Sequence, residues 1–174
     1  IARAFKQGPR PDRTIVFSAW TAEERGLLGS EYYADHPWLP LETTVANFTM
    51  DVLQPNGLAR DVVLVGAGQN ELESLLTQKA AGQGRVVTPD AKPERGLAFR
   101  ADHFPFARRG VPALLLMGMG GGHDLVNGGR EAGDRWVADF TGKCYHQACD
   151  RWSESWDLRG AAQDVTLIYQ MASQ

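Results

Sequence analysis

Short apolar runs that alternate with helical segments constrain the fold of this chain more than any other feature. The runs at 61–65 and 112–117 are almost wholly apolar, which is typical of strands that are buried on both faces of a sheet. Strands in alternation with helices predict a three-layer α/β/α fold with a mostly parallel central sheet. We predict strands at 13–20, 44–52, 61–65, 85–87 and 112–117, and helices at 27–34, 70–81, 104–109 and 158–172.

Length and composition indicate one globular domain. The chain has 174 residues, of which 43% are hydrophobic and 22% are charged. Its net charge of −3 offers no basic surface for nucleic acid, and no run of Lys or Arg suggests a membrane surface. No apolar stretch approaches the roughly 20 residues that a transmembrane helix needs. We therefore expect neither nucleic acid nor a membrane as a partner.

The first residues read as the end of a helix rather than as the start of a domain. Ile1 and Phe5 lie four residues apart on one helical face, and residues 8–11, with sequence GPRP, end the helix. We therefore expect that the chain is truncated at its N-terminus and that any targeting signal lies upstream.

Cys144 and Cys149 are the only two cysteines and lie five residues apart. They can be a pair of reduced thiols, the ordinary interpretation, or a disulfide. The second alternative would indicate an oxidising compartment.

Acidic and imidazole side chains follow the predicted strands at the places where an open α/β sheet binds its ligands. Glu23 and Glu24 follow the first strand, Asp51 ends the second, and His146 lies beyond the last. Taken singly, each has a simpler explanation: a helix first turn, a turn residue, an interior histidine. The stretch 118–143 is rich in glycine and lacks periodicity, so we expect a long functional loop there.

Four segments then resemble one family. Residues 21–30 read TAEERGLLGS, residues 47–52 NFTMDV, residues 100–113 begin RADHFPF and end GVPA, and residues 145–150 read YHQACD. In this order they resemble the motifs of the co-catalytic zinc aminopeptidases, the bacterial leucine-type enzymes grouped with glutamate carboxypeptidase-like metallopeptidases. The resemblance spans residues 14–150 and implies that residues 1–174 are the C-terminal part of a catalytic domain.

The resemblance implies a role for each matching residue. Glu23 matches the general base, and Tyr145 matches the donor to the oxyanion. Glu24 and His146 match ligands of one zinc ion, and Asp51 a ligand of the other. A peptide would be the substrate, hydrolysed at its N-terminal bond by water held between two Zn²⁺ ions. The resemblance also implies a periplasmic or secreted protein, although the chain itself leaves its location unknown.

Other candidates are less specific. Asp102 and His103 can be a pair that lines the substrate site, or a helix cap followed by a solvent-facing histidine. His123 and Asp124 match no ligand of the family. The tryptophans at 136, 152 and 156 can line a specificity pocket, although core packing is the simpler role for at least one.

The chain lacks the upstream segments that supply the family's other two ligands, including the carboxylate that bridges the metals. We therefore expect an incomplete two-zinc site, no activity from this chain alone, and self-association through exposed apolar surface. The alternatives are a non-catalytic, receptor-like relative, a single-zinc transferase like glutaminyl cyclase, and a carboxypeptidase of the same clan. The intact Glu23 and Glu24 pair favours hydrolysis.

Overall fold

The computed structural model describes residues 1–174, which fold around a four-stranded sheet. The strands have the order β1-β4-β2-β3. The pairs β1–β4 and β2–β3 are parallel, whereas β2 and β4 are antiparallel. The α/β prediction is confirmed, and the sheet is parallel at two of its three pairings. The strands are β1 Asn47–Asp51, β2 Asp61–Val65, β3 Val86–Pro89 and β4 Ala113–Met117.

Six α-helices surround this sheet. They are α1 Ala2–Gln7, α2 Leu28–Asp35, α3 Leu72–Gly82, α4 Phe104–Ala107, α5 Gly129–Asp139 and α6 Arg159–Ala172. The predicted helices at 27–34, 70–81 and 158–172 agree with α2, α3 and α6 within two residues. Asn70 assists the start of α3, because its Oδ1 accepts a hydrogen bond from the Leu72 N–H at 3.1 Å. None of the helices combines the length and the apolar character needed to cross a membrane.

The two central strands, β2 and β4, are buried along their whole length and separate two apolar clusters. Successive strand residues point to opposite faces. Leu114 and Leu116 of β4 therefore pack in the cluster that contains Leu76 of α3 and Leu167 of α6. Leu115 packs on the other face, with the chain around Leu97 and Ala101. This burial on both faces explains why the sequence of these strands is continuously apolar.

The register of β1 and β4 determines where a site can form. Asp51, the last residue of β1, pairs with Met117, the last residue of β4. Because the two strands are parallel, both end at the same edge of the sheet. This is the edge at which ligands bind in open α/β folds. β2 runs in the opposite direction, so its own C-terminal end lies at the other edge.

The prediction of a strand at 13–20 is wrong. This segment has no regular secondary structure, and its backbone makes no hydrogen bond to another backbone group. Val16 and Phe17 are 44% and 53% exposed. A cavity of about 390 Å³, lined by Val16 and Trp20 and by Phe48 of β1, separates the segment from the sheet. Apolar composition alone does not make a strand, because a strand also needs a partner for its backbone groups.

The prediction of an aperiodic loop at 118–143 is also wrong. Residues 118–123 are buried, and α5 occupies residues 129–139. The glycines serve close packing: a Cβ on Gly133 would lie 2.1 Å from the His123 carbonyl oxygen, and one on Gly118 2.7 Å from the Val52 carbonyl oxygen. Gly133 is the only buried residue of α5, so the helix contacts its neighbour through a residue that carries no apolar signal.

Candidate active site

A cavity of about 490 Å³ opens at the edge where β1 and β4 end. It is lined by Glu23 and Glu24, by Asp51 and by Tyr145. The chain thus brings together four of the five residues that the sequence singled out. Apolar side chains of Leu97, Phe99, Phe104, Met117 and Met119 complete much of the lining.

His146, the fifth of these residues, contacts the cavity through Glu24. Its Nε2 lies 2.7 Å from Glu24 Oε1. The rings of Tyr145 and His146 are stacked, with centroids 3.8 Å apart. The side chains of His146 and Glu24 are 46% and 66% exposed, so both can be reached from solvent.

The carboxylates of the cavity affect one another's protonation. Burial is the main cause that raises the pKa of Glu23, and the negative charges of Glu24, Asp102 and Asp51 raise it further. Burial also raises the pKa of Asp51, assisted by Asp102 and Glu24, while the Val52 backbone N–H and His146 lower it. Several acidic groups are therefore held together against their mutual repulsion, which a bound cation would relieve.

The phenol of Tyr145 stays protonated in this setting. Burial raises its pKa above the ordinary value, and the charge of Glu24 acts in the same direction. The positive charge of Arg100 opposes this shift and so acts on the same phenol. A protonated phenol can donate a hydrogen bond to an oxygen that develops negative charge.

Backbone strain is concentrated at this site. The structure has only four residues other than glycine with positive φ: Ala22 at 54°, Leu27 at 60°, Val52 at 42° and His146 at 60°. Ala22 and Leu27 flank the turn that carries the two glutamates, Val52 follows Asp51, and His146 is itself a candidate. A β-branched residue such as Val52 rarely adopts this conformation. Strain of this kind is typical of sites in which geometry is under functional constraint.

The motif at 21–30 is explained by its contacts. A Cβ on Gly29 would lie 2.6 Å from the Thr21 carbonyl oxygen, so the turn closes only on glycine. Ser30 is fully buried, and its Oγ donates to Asp102 Oδ1 at 2.6 Å. Asp102 in turn acts on Glu23 and Asp51 through its charge. Sequence reasoning assigned no role to Ser30, although its place in the motif was the available signal.

His103 is buried, at 6% exposure, so the alternative in which it faces solvent is wrong. Desolvation lowers its pKa to about 4, so the ring is neutral at neutral pH. Its neighbour Asp102 has a pKa that burial raises, and the hydrogen bond from Ser30 lowers it in part.

His123 lies in a buried polar cluster away from the residues that line the cavity. Its Nδ1 is 3.3 Å from Asp61 Oδ1, and Asp61 is fully buried. Asp61 also accepts from the backbone N–H of Asp124 at 2.9 Å and pairs with Arg130 at 2.7 Å. His123 and Asp124 thus hold the loop before α5 against the start of β2.

The three tryptophans line a second, larger cavity of about 1020 Å³. Val52 borders both this cavity and the first, so the two are neighbours. Trp152 and Trp156 are in edge-to-face contact at 5.3 Å and are 63% and 38% exposed. Trp136 stacks on Phe140. The structure thus favours the alternative in which all three tryptophans line a pocket over the one in which at least one of them packs in the core.

Cys144 and Cys149 form a disulfide. Of the two alternatives that the sequence left open, the structure has the bridge, and no free cysteine remains. The bridge closes the short loop that carries both Tyr145 and His146.

The donor atoms of the site suit zinc in kind. Carboxylate oxygens of Glu24 and Asp51 and the imidazole nitrogen of His146 are all ligands that zinc accepts. Their number is smaller than two tetrahedral ions need, and no group of three or more His, Cys, Asp or Glu side chains is arranged around a common point that could hold a metal ion. The residues fit part of a metal centre.

Comparison with known proteins places the chain among peptidases. The model described as Peptidase family M28 matches residues 1–169. The chain is 25% identical over 149 residues to leupeptin-inactivating enzyme 1 of Streptomyces exfoliatus, a match that covers 83% of this chain and 32% of that protein. It is 30% identical over 136 residues to a glutamate carboxypeptidase 2 homolog of Caenorhabditis elegans, covering 71% of this chain and 16% of that protein.

Two solved structures share the fold. The LapA aminopeptidase of Legionella pneumophila superposes with a TM-score of 0.58 at 15% identity, over 89% of this chain and 38% of that one. The aminopeptidase of Aneurinibacillus sp. strain AM-1 gives 0.51 at 20% identity, over 87% and 32%. The chain thus spans about a third of the length of the first sequence relative and less than two fifths of either structure.

Proposed function

Because this chain belongs to peptidase family M28, we propose that it is part of a zinc-dependent aminopeptidase that hydrolyses the N-terminal bond of peptides. The observation that carries the proposal is the cavity at the C-terminal ends of β1 and β4. Glu23, Glu24, Asp51 and Tyr145 line it, and His146 contacts Glu24 at 2.7 Å. The strained residues around it support a functional rather than a structural role.

In this proposal Glu24 and His146 hold one zinc ion and Asp51 contributes to a second. When bound, the two ions activate water and polarise the peptide carbonyl. The carboxylate of Glu23 acts as the general base: it takes a proton from the attacking water and delivers it to the leaving amine. Its raised pKa suits this task, because a general base works best when its pKa lies nearer the working pH. Tyr145 donates its phenolic hydrogen to the oxygen of the carbonyl under attack.

The number of donors supports a further part of the proposal. Three candidate ligands are present where the resemblance implies five, so the 174-residue chain alone should hold metal weakly and lack activity. The disulfide favours an oxidising location such as the periplasm or the exterior of the cell.

The test is an assay of the full-length protein on leucine p-nitroanilide, on a peptide with a free N-terminus and on the same peptide acetylated. We expect turnover of the first two only, with loss on chelation and recovery with zinc. Zinc content by atomic absorption gives an independent measure. Release of the C-terminal residue from the acetylated peptide would instead indicate a carboxypeptidase, and bound zinc without any hydrolysis would favour a transferase or a binding module.

A further inference from the structure

The active-site cavity contains a cation that the proposed mechanism does not use. Arg100 lines it together with the candidate carboxylates. It comes from a different part of the chain, the turn that follows a short 3₁₀ helix at Leu97–Phe99. Its side chain lines the same cavity as Tyr145 and Glu23, the groups to which the proposed function gives catalytic roles.

Arg100 differs from Arg108, the other arginine that lines the cavity, in having no partner. Arg108 and Arg109 both pair with Glu31, and Arg109 pairs also with Asp35. The guanidinium of Arg100 makes no hydrogen bond and no ion pair with any other residue, and Arg100 is exposed. Its positive charge is therefore available to a ligand, while that of Arg108 is largely neutralised.

The surroundings of Arg100 define the chemistry of that ligand. Phe99 and Phe104 pack edge to face at 5.3 Å beside it and, with Leu97, Met117 and Met119, form an apolar lining. A ligand that matches both the apolar lining and the unpaired guanidinium has an apolar body and an anionic group. A planar guanidinium favours a carboxylate, which it can bind through two parallel hydrogen bonds.

We propose that Arg100 binds a carboxylate of the substrate, so that the cleft selects peptides that carry a carboxylate a short distance from a free N-terminus. This inference rests on the proposed aminopeptidase function and adds the substrate class. The carboxylate can be the C-terminus of a dipeptide or an acidic first side chain, and a cavity of about 490 Å³ has the size of a small-molecule site.

Two substrate pairs, assayed with the full-length protein, separate these sources. The pair Leu-Ala and Leu-Ala-amide tests the C-terminus, and the pair glutamate p-nitroanilide and glutamine p-nitroanilide tests the side chain. For at least one pair we expect kcat/KM to be about tenfold higher with the carboxylate, the size of one charge-assisted contact. Arg100→Gln should remove the preference mainly through KM, and Arg100→Lys should restore part of it.

Binding must be measured apart from turnover. In a Glu23→Gln background, calorimetry compares Leu-Ala with Leu-Ala-amide, and Glu-Ala-amide with Gln-Ala-amide. We expect the peptide with the carboxylate to bind more tightly in at least one pair, and Arg100→Gln should abolish that difference. Arg10→Gln is the matched control, because Arg10 is also exposed and unpaired but does not line this cavity. Equal binding of acid and amide in both pairs would overturn the inference, whether or not the protein hydrolyses peptides. Absence of turnover with a retained, Arg100-dependent preference would overturn only the proposed function.

Discussion

The imidazole Nε2 of His146 lies 2.7 Å from Glu24 Oε1, although 122 positions separate the two residues in the sequence. Glu24 lies in the turn between Ala22 and Leu27, both of which have positive φ. His146 is placed by the disulfide-closed loop after α5. The contact therefore depends on the whole intervening fold, and it unites two residues whose types are suited to the same metal ion.

Glu23→Gln and His146→Ala should separate base from ligand. Glu23→Gln in the full-length protein should keep its zinc and lose at least about a hundredfold in kcat, the usual contribution of a general base. His146→Ala should instead lower the zinc content. Metal analysis beside steady-state kinetics checks both, and equal zinc loss in the two variants would show that Glu23 is itself a ligand.

Opening the disulfide should release the loop that carries Tyr145 and His146. Cys144→Ser with Cys149→Ser should lower the free energy of unfolding by about 2 kcal/mol or less, because the closed loop is short. We expect a larger effect on zinc content and kcat, since the αL backbone of His146 is no longer held. Tris(2-carboxyethyl)phosphine, a reductant that binds zinc only weakly, should reproduce the loss in the parent protein and leave the double variant unaffected. Full activity in both would mean that the bridge does not position the histidine.

Asp61→Asn should destabilise the fold strongly. Burial alone would raise the pKa of Asp61, but the nearby His123 and hydrogen bonds from the Asp124 N–H and the Thr88 hydroxyl outweigh it and hold the pKa well below the ordinary 3.8. The stabilisation by the carboxylate is therefore complete above that value and is lost as the pH falls toward the folded-state pKa.

Replacement by an amide leaves the buried partners of Asp61 uncompensated, at a cost of about 3–5 kcal/mol. Urea unfolding at pH 7 measures this cost, and the difference from the parent should shrink below about pH 4. Asp12→Asn, at an exposed position, is the control and should change little. A loss that stays constant down to pH 2 would contradict the assignment.

Ser30→Ala should affect both stability and the acids of the site. Ser30 is fully buried and donates to Asp102 at 2.6 Å, so its loss should cost about 1–3 kcal/mol. Because that hydrogen bond lowers the pKa of Asp102, the variant should protonate Asp102 at a higher pH. Urea unfolding of variant and parent tests the loss of stability, and a pH–rate profile of the full-length protein tests the change in protonation. Ser18→Ala, at an exposed position, is the control.

The 174-residue chain by itself should self-associate and lack activity. β1 is an edge strand, and Val16, Phe17 and Val45 near it are each more than two fifths exposed. Sedimentation at increasing protein concentration should show oligomers, and leucine p-nitroanilide should stay intact even with excess zinc. Zinc-dependent hydrolysis by the homogeneous chain would mean that its ligand set is complete.

The fold class and the site residues could be predicted from the sequence because both leave local signals. The strands at 61–65 and 113–117 are apolar along their whole length, since both faces of the sheet cover them. The paired glutamates and the YH pair lie in motifs whose order along the chain is itself informative. The roles of those residues as base and ligands stay predictions.

Prediction from the sequence failed where the buried residues are glycines and where an apolar segment has no strand to pair with. Gly118 and Gly133 have no Cβ and so resemble loop residues, yet they permit close approach of other backbone segments. The apolar segment at 13–20 reads as a strand, yet no backbone partner pairs with it.

By itself, the sequence determined the alternation of strands and helices, the family motifs and the set of candidate residues. Only the tertiary structure decided the antiparallel pairing of β2 with β4, the disulfide, and the contact between Glu24 and His146. It also decided that Arg100 has no partner while Arg108 and Arg109 do. The reason is physical: hydrophobic periodicity reports which face of an element is buried, whereas pairing, charge compensation and strain depend on residues that are distant in the sequence.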